Sequence, residues 1–137
     1  DAYARQLRPR TLINRYYVPT LQGWQDWPLA QHGVQWGGEP AAALLTQYLK
    51  PGELTMYADK LPGVLVARYK LLKEPEVDHK AVVDVRRRFW NFPEDGAEAC
   101  VPAVLVYADL LATGDARCLA TAKQLYEEHV VRLVRQA

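Results

Sequence analysis

The fold is decided by residues 36–59, which read WGGEPAAALLTQYLKPGELTMYAD. Pro40 suits the first turn of a helix, where its missing N–H forfeits no hydrogen bond. Ala41, Leu44, Leu45, Tyr48 and Leu49 then recur at the spacing of one helical face. The pattern predicts an amphipathic helix over residues 40–49 with that face inward. Lys50, Pro51 and Gly52 end it with a cation in the last turn, a residue that cannot continue the helix and a permissive turn residue. Residues 54–58 read as a strand. Asp59 is then expected as the N-cap of a second helix over residues 61–72, with Pro62 in its first turn.

Upstream, residues 11–18 mix β-branched and aromatic side chains between Pro9 and Pro19, which favours a bounded strand. Residues 3–7 look like the end of a helix, and residues 26–31 allow a short one within a loop. Downstream, residues 73–80 are charged and loop-like, residues 81–90 alternate as a strand, and residues 91–99 form a loop. Pro102 opens a helix through Leu111 that is apolar nearly all round and is expected to be buried. Thr113 and Gly114 turn the chain, and Asp115 caps a last helix with Leu119, Ala122, Tyr126, His129, Val130 and Leu133 on its inward stripe. This order predicts an α+β fold: a small mixed β-sheet packed against several helices, with two C-terminal helices, as a single domain over residues 1–137.

Half of the 137 residues are hydrophobic and 24% are charged, an ordinary globular balance that needs no disulfide or metal to stabilise a core. No apolar run is long enough to span a membrane and no signal peptide opens the chain, so a cytoplasmic location is expected, with no membrane partner. Cys100 and Cys118 lie outside any CxxC spacing and read as free thiols. The net charge of +1 gives no general attraction for polyanions, but Arg5, Arg8, Arg10 and Arg15 cluster near the start and Arg86, Arg87 and Arg88 form a second basic run.

Candidate chemistry was weighed against ordinary structural roles. Gly37 and Gly38 lack the third glycine and the lysine of a phosphate-binding loop and are read as a tight turn into the helix. His32, His79 and His129 carry no flanking catalytic motif, and no cofactor is implied. A metal-dependent nuclease would recruit Glu39, Asp59, Asp84 and Arg86 to a magnesium ion, but the usual carboxylate spacing is absent. Asp109, inside an apolar helix, is expected to find a buried donor, with an arginine from the sheet as one candidate. For contact with nucleic acid or another partner, Arg8, Arg10, Arg15, Arg86, Arg88 and Trp90 are the candidates, since arginine neutralises phosphate and exposed aromatics stack on bases. On a strand, Arg86, Arg88 and Trp90 share one face, and a solvated charged stripe is its ordinary reading.

The stretch over residues 36–59 resembles the helix-then-strand core of AbiEi-type antitoxins, and LVYADLLATGD at residues 105–115 resembles the helical ending of the same family. The resemblance implies a transcriptional regulator of a type IV toxin-antitoxin system, without catalytic residues. It further implies an N-terminal winged helix-turn-helix, which this chain does not show, followed by an antitoxin domain, which it does. The implied partners are operator DNA, bound through the full-length protein, and a nucleotidyltransferase-like toxin. A nuclease-like domain and a non-catalytic protein-interaction domain are the alternatives.

Overall fold

Strands β1 (Leu12–Val18), β2 (Gln35–Gly37), β3 (Leu54–Ala58) and β4 (Ala81–Arg87) form one sheet in the order β1-β4-β3-β2. This computed structural model describes residues 8–47, 49–88, 100–113 and 115–130. The two outer pairings are antiparallel and the central β3–β4 pairing is parallel. Parallel neighbours need a crossover, and α3 (Gly63–Tyr69) supplies it. The remaining helices are the single turn α1 (Arg8–Thr11), α2 (Gly38–Thr46), α4 (Ala103–Thr113) and α5 (Ala116–Leu125), followed by a π-helical turn at Tyr126–Val130. The expected α+β class, with a mixed sheet and two C-terminal helices, is what the chain adopts.

Strand alternation divides the sheet into two faces. Register places Trp36 beside Met56, Met56 beside Val85, and Leu54 beside Val83. This apolar face is covered by the 3-10 turn Trp24–Asp26, the residues after it, and α3. Trp24 meets Trp36 edge-on at 5.3 Å between ring centroids, and Trp27 stacks on Tyr69 of α3 at 4.1 Å. The other face carries Thr55, Tyr57, Asp84 and Arg86, and there Tyr57 donates a 2.8 Å hydrogen bond to Asp109 of α4. α2 and α5 pack with α4 on this side.

The entry into α2 is fixed by two glycines. A Cβ on Gly37 would fall within the ring of Tyr57, and one on Gly38 would sit 2.9 Å from Thr55 Oγ1. Gly38 also holds a φ of +50°, in the left-handed region that favours glycine. The tight-turn reading of this pair is correct, and the tightness serves the close approach of α2 to β3.

Several element boundaries and faces differ from expectation. α2 ends at Thr46, with Gln47 as a left-handed C-cap, and its first five residues are all buried. It enters the protein end-on, so burial follows position along the helix rather than the 3.6-residue period, and Leu44 is exposed. Asp59 is exposed and is not a cap: α3 begins only at Gly63, with extended Pro62 as N-cap. Leu61 precedes a proline, which disfavours helical backbone there. The helix expected at residues 26–31 is instead two separate 3-10 turns, Trp24–Asp26 and Ala30–His32. β2 is an edge strand that was not anticipated, because three residues ending in glycine carry no alternation signal. α4 is not buried all round, since Val104 is 48% exposed. The buried stripe of α5 is Cys118, Thr121, Ala122 and Leu125, one residue away from that expected, leaving Leu119 and Tyr126 outside. Thr121 hides its hydroxyl by donating to the Arg117 carbonyl at 3.0 Å, so a nominally polar residue fits the core. The features expected at residues 3–7, Tyr48, residues 89–99, Gly114 and residues 131–133 lie outside the described residues.

Replacing Gly37 by alanine is expected to lower unfolding free energy by about 1–3 kcal/mol, the usual cost of forcing an extra group into a packed core. Gly63→Ala, at a helical position with nothing within 4 Å of the added Cβ, should instead be neutral or stabilising by up to about 1 kcal/mol. Urea titration of both variants checks the contrast.

Candidate functional site

Three polar assemblies lie on the helix-covered side of the sheet or at its edge. At the first, β4 presents Asp84 opposite Arg15 of β1. Arg15 donates through Nε and Nη2 to the two carboxylate oxygens at 2.7 and 3.1 Å, the bidentate geometry that makes such pairs strong. The bond and charge of Asp84 raise the Arg15 guanidinium further above its ordinary pKa. Arg86 Nη2 approaches the same carboxylate at 3.9 Å, while its Nη1 donates to Thr11 Oγ1 at 3.1 Å. A register irregularity in β1 between Leu12 and Asn14 falls where this network meets the end of α1.

The second assembly ties α2 to α5. Buried Glu39 accepts from the Gly52 amide at 3.0 Å and pairs with Arg117 Nη2 at 2.8 Å. Arg117 Nη1 reaches the Lys50 carbonyl at 2.9 Å, so one guanidinium holds both α2 and the loop that follows it. The third is the buried Tyr57–Asp109 bond, which meets the expectation of a donor for Asp109, with a tyrosine of the sheet supplying it.

The start of α5 is capped as expected: the Asp115 side chain accepts from the Cys118 amide at 2.7 Å. That hydrogen bond holds the Asp115 carboxyl below its usual pKa. The Cys118 thiol is pushed up to about 12, first by burial and then by the nearby charge of Glu39. Both Cys100 and Cys118 are free and buried.

The six candidate contact residues do not form one exposed stripe. Arg10 is exposed and Arg15 keeps about half of its side chain in solvent, at 49%. Arg88 is half-buried, with Nη2 donating to the Gly33 carbonyl at 3.0 Å. Arg86 is only 4% exposed, so the expectation of a shared solvent face for Arg86 and Arg88 is corrected. β4 is a central strand with β1 and β3 on either side and both faces covered through residues 83–86, where burial does not alternate. The cation of this run that reaches solvent is Arg87, which the alternation argument had set aside. The Arg8 side chain and Trp90 lie outside what the structure describes.

The carboxylates of the nuclease alternative are also apart in role. Glu39 is bound by Arg117 and the Gly52 amide, Asp84 by Arg15, and Asp59 lies exposed after β3. Among the described residues, no group of three or more His, Cys, Asp or Glu is placed to hold a metal ion. Arg117 was missed from sequence because a lone arginine on a helix gives no sign of a partner 78 positions upstream.

The two stretches that suggested a family are therefore joined physically, since Tyr57 of the first donates to Asp109 of the second and Asp115 of the second caps the helix that carries Arg117 back to Glu39 of the first. Residues 1–131 match the family of transcriptional regulators described as AbiEi antitoxins of type IV toxin-antitoxin systems. The chain belongs to the AbiEi antitoxin family. No curated protein and no solved structure matches it. Membership makes this chain a member of a regulatory family, and no helix among its described residues is long and apolar enough to cross a membrane.

The cap of α5 has a pH signature. Because the folded carboxyl of Asp115 is depressed below its unfolded value, its contribution is complete above about pH 4 and is lost as pH falls through the folded value. Asp115→Asn keeps an acceptor and should flatten this acid limb, while Asp115→Ala should cost about 1 kcal/mol at neutral pH. Thermal melts between pH 2 and pH 7 distinguish the variants. An acid limb unchanged by Asn would remove the cap from the account.

Proposed function

We propose that this chain is the antitoxin domain of a cytoplasmic transcriptional regulator that counteracts a nucleotidyltransferase-like toxin and assists repression at its operator. The observation that carries the proposal is the family match over residues 1–131. In this reading residues 1–137 act as one unit, an N-terminal winged helix-turn-helix of the full-length regulator reads operator bases, and the unit works without a cofactor or chemistry of its own. Its basic residues contact nucleic-acid backbone, either operator phosphates or the RNA on which the toxin acts.

Arg8, Arg10, Arg15 and Arg88 are the proposed phosphate contacts, with Trp90 as a stacking residue. Arg15 suits the role because Asp84 holds its guanidinium in one orientation while half of the side chain remains in solvent. Arg86 acts behind the surface by sharing Asp84 and holding Thr11.

Co-expression of the full-length protein with the nucleotidyltransferase encoded beside it should restore growth. Continued arrest with soluble regulator present would refute the antitoxin role. If Arg10 and Arg15 meet phosphate, changing both to alanine should reduce the slope of log affinity for operator against log salt by about 1 for each lost contact. An unchanged slope would assign these side chains to solvation. Arg86→Ala is the internal control, expected to lower the melting temperature because it takes a partner from buried Asp84.

A further inference from the structure

A cleft of about 990 Å³ opens between the segment after β1 and the C-terminal end of α2. Its lower wall includes buried Trp24 and Leu49 with half-buried Leu21 and Ala43, and its rim carries exposed Gln22, Gln25, Gln47 and Lys50. Both sides are anchored in the core. Trp24 is wedged against Trp36, and the Lys50 backbone is held by Arg117, which itself pairs with Glu39. The cleft is thus a built feature of the fold and not a gap between loose loops. Its volume is at the upper end of the range for ligand sites.

The chemistry of the lining selects the ligand. Among the described residues that line the cleft, Lys50 carries the one formal charge. A polyphosphate would meet too little positive charge, and a cationic ligand would meet repulsion. Three carboxamides at the rim each offer donors and an acceptor, the same pair of groups that a peptide unit presents. An apolar floor below them accepts aliphatic side chains.

We propose that this cleft binds a short extended segment of a partner protein, in which an aliphatic residue enters the floor and a neighbouring acidic residue meets Lys50. The glutamines hydrogen-bond the segment's backbone. The site is separate from the proposed nucleic-acid contacts, so either reading can fail without the other.

The test uses the whole chain and three acetylated, amidated hexapeptides in which leucine alternates with glutamate, glutamine or lysine. Binding is followed by fluorescence anisotropy of the labelled peptides and by the indole N–H resonance of Trp24. The glutamate peptide is expected to bind on the order of tenfold more tightly than the lysine peptide, the scale of reversing one partly exposed ion pair. Lys50→Glu, at an exposed position, should invert that order, and Leu44→Arg at the cleft edge should weaken all three peptides. Equal affinity for the three, an order unaffected by Lys50→Glu, or binding that leaves the Trp24 resonance unmoved would overturn the proposal. So would concentration-dependent dimerisation in sedimentation that occludes the cleft, since the occupant would then be a second copy of the chain.

Discussion

The close approach of α2 to β3 at Gly37 and Gly38 is the constraint on which the rest of the helical layer depends. With no side chain at either position, backbone can lie against the Tyr57 ring and Thr55 hydroxyl. That proximity leaves Tyr57 directed at Asp109, which fixes α4, and brings Glu39 to the point where Gly52 and Arg117 meet, which fixes α5. A methyl group at the first glycine would displace one helix and loosen three. Packed interiors behave in this way because they have little free volume in which to absorb a shift.

The polar bonds that follow from this approach secure geometry more than they add net stability. Removing a carboxylate from water is expensive, and an ion pair within the fold regains that free energy only when its orientation is good and its other lone pairs are satisfied. Asp84 and Glu39 are nearly inaccessible, whereas their partners Arg15 and Arg117 keep about half of each side chain in solvent, at 49% and 47%. Only one ion of each pair is therefore fully desolvated. The arrangement limits the penalty while still fixing which helix meets which strand. Asp109 uses a neutral donor, Tyr57, where both partners are inside.

How much of this was legible in the sequence follows from the physics of each signal. Local signals were readable: Pro40 lies in a first helical turn, Asp115 caps a helix, and residues 54–58 form a strand. Periodicity failed where burial has another cause. The first turn of α2 is buried on every side because it enters end-on, and β4 is buried on both faces because it is central. The reading of Arg86 as surface charge failed for that second reason. Pairings distant in sequence, such as Arg117 with Glu39, had no local trace. The family, by contrast, was legible, because the resemblance rested on glycine, proline and aspartate positions whose roles are set by packing.

The same reasoning separates the carboxylates that hold the fold from the cations that face outward. Glu39, Asp84, Asp109 and Asp115 each end on a named donor within the chain. Arg10 and Arg87 are exposed, and Arg15 is half so. Net charge of +1 therefore understates what an approaching polyanion meets, because much of the negative charge is already committed inside while positive charge remains at the rim. A regulator acting alongside a separate DNA-reading domain needs no strong field of its own. A few oriented guanidinium groups suffice to add salt-dependent affinity without sequence preference, and Arg15, held by Asp84, is the one whose orientation the fold determines most firmly.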